Sequence, residues 1–145
     1  MTIKKADLSD AAAANSLAHM LFGGHDENEL LEETKQMIES ENAAVFLAES
    51  GGEYVGIAEC ALRHDYVEGT SSSPVGYLEG IFVLECARRS GVARALLEAA
   101  KAWSSSCGAS EFASDCELHN ETSVRFHNSV GFTEAARIVC FTQKL

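Results

Sequence analysis

Arg88, Arg89, Gly91 and Arg94 crowd one short stretch of this chain, Arg88-Arg-Ser-Gly-Val-Ala-Arg94. The run Arg88 to Ala93 has the form R-x-x-G-x-A. A turn that opens a helix presents unpaired backbone N–H groups and the positive end of the helix dipole. Gly91 lets the backbone come close to a ligand, and the three arginines add charge. The chemistry expected of Arg88, Arg89, Ser90, Gly91, Val92, Ala93 and Arg94 is therefore a cradle for pyrophosphate. It is neither of the commoner phosphate loops, since the chain has no G-x-x-x-x-G-K-[ST] and no G-x-G-x-x-G.

Two elements must hold this turn. Before it, Tyr77-Leu-Glu-Gly-Ile-Phe-Val83 is rich in β-branched and aromatic residues and reads as a strand. After Gly91, the apolar residues Val92, Ala95, Leu96, Ala99, Ala100 and Trp103 follow the period of one buried helix face. Glu79 sits mid-strand just before Gly80, where a bulge would open the sheet.

The rest of the chain supplies the frame. Thr2 to Ala6 reads as an edge strand. Ser9 or Asp10 caps a first helix with Ala14, Leu17, Ala18 and Leu21 on its apolar face, stopped at Phe22-Gly-Gly-His25. Asp26-x-x-Glu29 resembles a capping box for a second helix, with Leu30, Leu31, Thr34, Met37 and Ile38 inward. Ala44–Glu49 and Tyr54–Leu62 read as strands joined by the hairpin Ser50-Gly-Gly-Glu53. His64 to Pro74 is a polar loop carrying Tyr66. Glu111–Asp115 alternates as a strand, Asn120 caps a last helix to Val130, and Phe132 to Lys144 holds one or two final strands. The order β α α β β β α β α β β is that of an α/β protein with a mixed sheet, one domain over 1–145.

Composition narrows the partners. With 22 acidic against 11 basic residues the formal net charge is −11, a surface that repels nucleic acid and anionic membranes and draws cations. From Asp26 to Glu41 there are seven acids and one lysine; this is a solvated face or an acidic wall for a polycation. Five scattered cysteines make no C-x-x-C pair, and the histidines have no ligand spacing, so neither a disulfide framework nor a metal is expected. No apolar run is long enough to span a bilayer, and the start lacks the apolar core of a signal peptide; a cytoplasmic protein is expected.

Arg88-x-x-Gly91-x-Ala93 after a strand, then Asn120, then Phe126-His-Asn-Ser-Val-Gly-Phe132, resembles the GCN5-related N-acetyltransferase (GNAT) superfamily over essentially the whole chain. His64–Thr70, Ser73–Ile81, Arg88–Ala93 and Glu111-Phe-Ala-Ser-Asp115 are similar to the small dimeric aminoglycoside 6′-N-acetyltransferases within it. The resemblance implies a mostly antiparallel central sheet flanked by helices, acetyl-CoA as cosubstrate, a homodimer, and direct acetyl transfer to an aminoglycoside amine. By position it implies that backbone groups of Ile81, Phe82 and Val83 pair with the pantetheine arm, that residues 88–94 hold pyrophosphate, and that Asn120 bonds the arm. Phe22, Tyr66, Glu79 and Asp115 fall at antibiotic-contact positions. Phe22 stands where tryptophan is usual. Ala136 stands where an acid is usual, with Glu134 two places earlier. Glu79 is either the base that takes the ammonium proton or a carboxylate that binds it; His127, where many relatives have tyrosine, is either the acid for the departing thiolate or a packed helix residue. A polyamine or other small cationic amine as acceptor, and an idle acetyl-CoA-binding module, remain open at this point.

Overall fold

The computed structural model describes residues 1–24 and 26–145; His25, the end of the expected helix stop, lies outside them. Five strands, β1 (Thr2–Lys5), β2 (Ala43–Ser50), β3 (Glu53–Arg63), β4 (Val75–Val83) and β5 (Phe112–Ser114), form one sheet in chain order. All neighbours are antiparallel except β4 and β5, which run parallel. Helices α1 (Ala11–Phe22) and α2 (Glu27–Glu39) cover one face. Helix α3 (Val92–Ser106) covers the other, and α4 (Glu121–Ser129) follows β5.

Local chemistry explains most boundaries. Gly51 (φ 61°) and Gly52 (φ 82°) supply the two positive φ angles of a tight hairpin between β2 and β3. Asp26 accepts from the N–H groups of Asn28 and Glu29 at the start of α2. Asn120 Oδ1 accepts from Ser123 N at 3.1 Å to open α4. The cap of α1 differs from expectation. A 3-10 turn over Leu8–Asp10 precedes the helix, and Asp7 and Asp10 form the reciprocal capping box there, while Asp10 makes no side-chain cap to α1 itself. Asp10 is instead buried, accepting from Lys4 at 2.8 Å and from the Tyr54 hydroxyl at 2.8 Å.

α3 presses closely on the sheet. A Cβ on Gly76 would lie 2.4 Å from Ser104 Oγ and 2.7 Å from Phe112 Cδ1, so only glycine fits there. The central layer on that side is Ala44, Phe46, Ala58, Cys60, Leu78, Leu96 and Leu97. No helix among the described residues is long and apolar enough to cross a membrane.

The final strands do not form. From Phe132 onward the chain makes no strand, and Ile138, Val139 and Phe141 are 70%, 78% and 90% exposed. Phe132 docks on His127 (ring centroids 5.1 Å) and Phe112 (6.1 Å), and the tail then passes over the 64–74 loop, where a Cβ on Gly69 would meet Ala135 Cβ at 2.5 Å. On that course its backbone meets no sheet edge. A run of β-branched and aromatic residues confers a capacity to pair, but does not supply the partner.

Candidate active site

The site begins at an irregularity in β4. Against β3, Glu59 pairs with Gly80 and Cys60 pairs with Leu78, so Glu79 is the extra residue of a bulge. Because backbone groups alternate sides along a strand, one extra residue reverses their phase. Before the bulge, Gly76 N bonds Glu111 O on the β5 side. Beyond the strand end, Leu84 N bonds Val55 O on the β3 side, so Phe82 also faces β3. Ile81 and Val83 therefore direct their N–H and C=O groups away from β3. β5 pairs with β4 only from Gly76 to Leu78, so past that point the two parallel strands part and the edge at Ile81 and Val83 has no strand beside it. Of the three residues expected to offer backbone groups there, Phe82 turns its backbone to β3; its ring lies 5.8 Å below the Arg88 guanidinium.

This open edge leads to the start of α3. Arg88 Nε donates to Val83 O at 2.9 Å, folding the turn back onto the strand. Arg89 (φ 62°) and Gly91 (φ 85°) both adopt left-handed backbone, and Gly91 caps α3 without a side-chain bond. Ser90 Oγ bonds Ala87 O. Residues 88–91 are exposed, and a Cβ on Gly91 would have nothing within 4 Å. The first N–H groups of α3 thus point from a concave, positively charged turn into open space, which fits a pyrophosphate. Arg94 is partly engaged, donating to Ser129 O at 3.2 Å and tying α3 to the end of α4.

The carboxylates lie elsewhere on the sheet and the tail. Glu79 is not free: Arg63 grips it with both ends of its guanidinium, Nε–Oε1 at 3.1 Å and Nη2–Oε2 at 2.9 Å. Arg63 also stacks 3.5 Å over the Tyr77 ring, and the Tyr77 hydroxyl donates to Asp115. Asp115, Tyr77, Arg63 and Glu79 form one chain of contacts that fixes two of the expected site carboxylates. Burial and the neighbouring Asp115 push the Tyr77 phenol up, so it remains a donor. Tyr66 is 75% exposed on the 64–74 loop, which is anchored by buried Val67 and by Glu111 accepting from Ser71 N and Ser72 Oγ. Glu134, on the tail, pairs with Arg137. Phe22 lies across Gly80, its Cζ 2.9 Å from where a Cβ would stand.

His127 has both ring nitrogens occupied: Nδ1 faces Ser123 O at 2.7 Å, and Nε2 faces Ser114 Oγ at 2.8 Å. Ser114 Oγ in turn lies 3.2 Å from Leu78 O, where β4 and β5 part. The histidine is both packed on α4, against Phe126 and Phe132, and wired to the mouth of the slot. Cys86 and Cys116 are exposed, and Cys60 is buried with its thiol pushed up to about 12 by desolvation.

Four residues of this site were not anticipated: Arg63, Tyr77, Ser114 and Glu59. Glu59 is 5% exposed on β3, and burial, then the like charges of Glu33 and Glu79, push its carboxyl up to about 7. One sequence signal pointed to it, an acid in the middle of the apolar run Ile57-Ala-Glu-Cys-Ala-Leu62.

This fold and slot have counterparts among known proteins. The chain is 45% identical to an aminoglycoside N(6′)-acetyltransferase type 1 of Stenotrophomonas maltophilia, covering 99% of this chain and 94% of that protein. It is 34% identical to one of Salmonella enteritidis, over 99% of both. It superposes with a TM-score of 0.96 on the enzyme AAC(6′)-Iy in complex with the bisubstrate analogue CoA-S-monomethyl-acetylneamine, at 33% identity and covering 99% and 98% of the two chains. Against an aminoglycoside 6′-N-acetyltransferase from Acinetobacter haemolyticus the TM-score is 0.95 at 38% identity, with 100% and 99% covered. Residues 12–132 match the acetyltransferase (GNAT) family as a whole, and the chain belongs to that family.

Proposed function

We propose that this protein, a single domain over 1–145, is an aminoglycoside 6′-N-acetyltransferase. It moves acetyl from acetyl-CoA to the 6′-amine of the drug by direct attack in a ternary complex, and so confers resistance. The observation that carries the reading is the unpaired β4 edge running into the left-handed turn at the start of α3. The outward N–H and C=O of Ile81 and the outward N–H of Val83 suit the pantetheine arm, and the turn suits the pyrophosphate. Asn120, whose Oδ1 caps α4, keeps its amide N–H₂ for the arm. The acceptor reading rests on the acidic wall and on the names of the relatives above.

Acetyl-CoA supplies the activated acetyl thioester; the chain supplies the rest. The outward N–H of Ile81 or Val83 donates to the thioester oxygen as charge builds on it. An alkyl ammonium with a pKa of about 10 must lose a proton before it can attack. Glu79, held rigid by Arg63, receives the ammonium and takes that proton through water, while Asp115, Tyr66 and Phe22 orient the rings. Ser114 stands where the thiolate departs. Its hydroxyl gives the proton, and the doubly protonated His127 ring replaces it from Nε2, becoming neutral with its remaining N–H at Nδ1 on Ser123 O. Ser114→Ala is expected to lower kcat by about 100-fold with KM for acetyl-CoA unchanged; unchanged kcat would remove Ser114 and His127 from proton return.

Two copies pair through the tail, whose exposed Ile138, Val139 and Phe141 suit burial against a second chain. Sedimentation should show a dimer that Phe141→Asp converts to monomer; a monomeric parent protein would end this reading. Five free thiols suit a reducing cytoplasm. The deciding experiment for function is turnover of acetyl-CoA with kanamycin and tobramycin against spermidine and peptide amines. Brisk drug turnover is expected. Turnover of spermidine alone would reassign the acceptor, and CoA binding with no turnover of any amine would make the chain an idle binding module.

A further inference from the structure

A cavity of about 130 Å³ lies between α2 and β3, lined by Phe22, Leu30, Glu33, Thr34, Met37 and Glu59. Its walls are apolar on three sides and carry two carboxylates. Thr34 is 1% exposed, and its Oγ1 has no hydrogen-bond partner. Glu59 is 5% exposed, forms no ion pair among the described residues, and feels the like charges of Glu33 from α2 and Glu79 from β4. A buried hydroxyl without a partner, and a carboxyl held in a desolvated place, cost stability in the free protein. Phe22 forms one wall and also lies over Gly80 at the bulge, so the cavity adjoins the place where the acceptor amine reacts.

We propose that this cavity is a subsite for a second ammonium group of the acceptor, separate from the amine that is acetylated. Glu59 and Glu33 are its counter-charges, and Thr34 Oγ1 is its third hydrogen-bond acceptor. An ammonium has three N–H donors and no acceptor. The cavity offers three groups that can accept, two carboxylates and the Thr34 hydroxyl, whose own O–H is free to turn toward a carboxylate, with the Phe22 ring as an apolar wall that tolerates a cation. A hydroxyl in place of that ammonium would leave the carboxylates uncompensated. The subsite would therefore select acceptors carrying more than one amine. Binding of the ammonium would drive the proton from Glu59, so complex formation near neutral pH would release it to buffer.

The inference rests on a multiply charged acceptor, as proposed above, and its test separates the two readings. Neamine is titrated calorimetrically into the parent protein, Glu59→Gln and Thr34→Val in two buffers of different ionisation enthalpy at pH 7. CoA binding serves as the check on folding. Expected are affinities about tenfold weaker in each variant, and a proton release in the parent that exceeds that of Glu59→Gln. Neamine bound equally by all three proteins with equal proton counts would overturn the subsite while leaving the acceptor reading intact. So would unchanged neamine affinity with a uniformly lower kcat in Glu59→Gln, which would make Glu59 a proton-transfer group instead. A second arm does not depend on the drug. Ethylammonium chloride should shift the methyl resonances of Met37 and Leu30 in the parent but not in Glu59→Gln, with sodium chloride as control. If neamine fails to bind any of the three proteins, the acceptor reading falls, and absence of these shifts then overturns the subsite as well.

Discussion

Gly91→Val will leave a folded protein that no longer holds CoA. At φ 85° a β-branched residue is strained, which costs about 1–3 kcal/mol. The added side chain meets no protein atom within 4 Å of its Cβ, so the free fold pays no steric penalty beyond that strain. What it fills is the space in front of the N–H groups of Val92, Ala93 and Arg94. Bonds from such groups to a charged partner are worth about 1.5–3 kcal/mol each, and losing two of them weakens binding by at least about 100-fold. Calorimetry with CoA, beside a urea melt, measures the two effects separately. Affinity within tenfold of the parent would show that pyrophosphate is held elsewhere.

Glu59→Gln is expected to stabilise the protein at alkaline pH and not at acidic pH. The Glu59 carboxyl is raised in the folded state, from 4.5 to about 7. Between those values the folded protein binds more protons than the unfolded chain, so stability falls as pH rises through the window. Below about 4.5 the group is neutral in both states and costs nothing by this route. Above about 7 it is charged in both, and the folded state carries the full desolvation cost. A shift of this size corresponds to roughly 3 kcal/mol, or about 10 °C in Tm for a chain of this length. Thermal melts of the parent and Glu59→Gln at pH 5 and pH 8 test it. The gap should open at pH 8 and close toward pH 5; equal melting at pH 8 would mean that Glu59 is not buried as an isolated carboxylate. A residue that weakens the fold beside a reactive slot is the pattern left when binding, not stability, has kept it.

The glycine turn that opens α3, the bulge and the last helix were legible in the sequence because each is a local statement. Gly91 needs left-handed backbone at the helix start, Glu79-Gly80 interrupts a strand, and Asn120 lies three residues before Ser123, whose N–H it accepts. Pairings across the sheet were not legible. Arg63 and Glu79 are sixteen residues apart, and no local rule says that a guanidinium will occupy the carboxylate proposed as base. Asp10, one of the two caps expected for α1, does hold that position, but contacts with Lys4 and Tyr54 engage its carboxylate, so it makes no side-chain cap to the helix. The tail, with its apolar run Ile138–Phe141, was read as strands, but a strand is a relation between two segments and only one of them was in view.

The phase reversal at Glu79 bears on how this protein can change over time. Substitutions around the slot alter its lining one side chain at a time. A single-residue deletion between Leu78 and Gly80 would instead rotate the outward amides of Ile81 and Val83 into the sheet together. New acceptor preferences should therefore arise by point replacement, and selection experiments should recover almost no length variants in this strand.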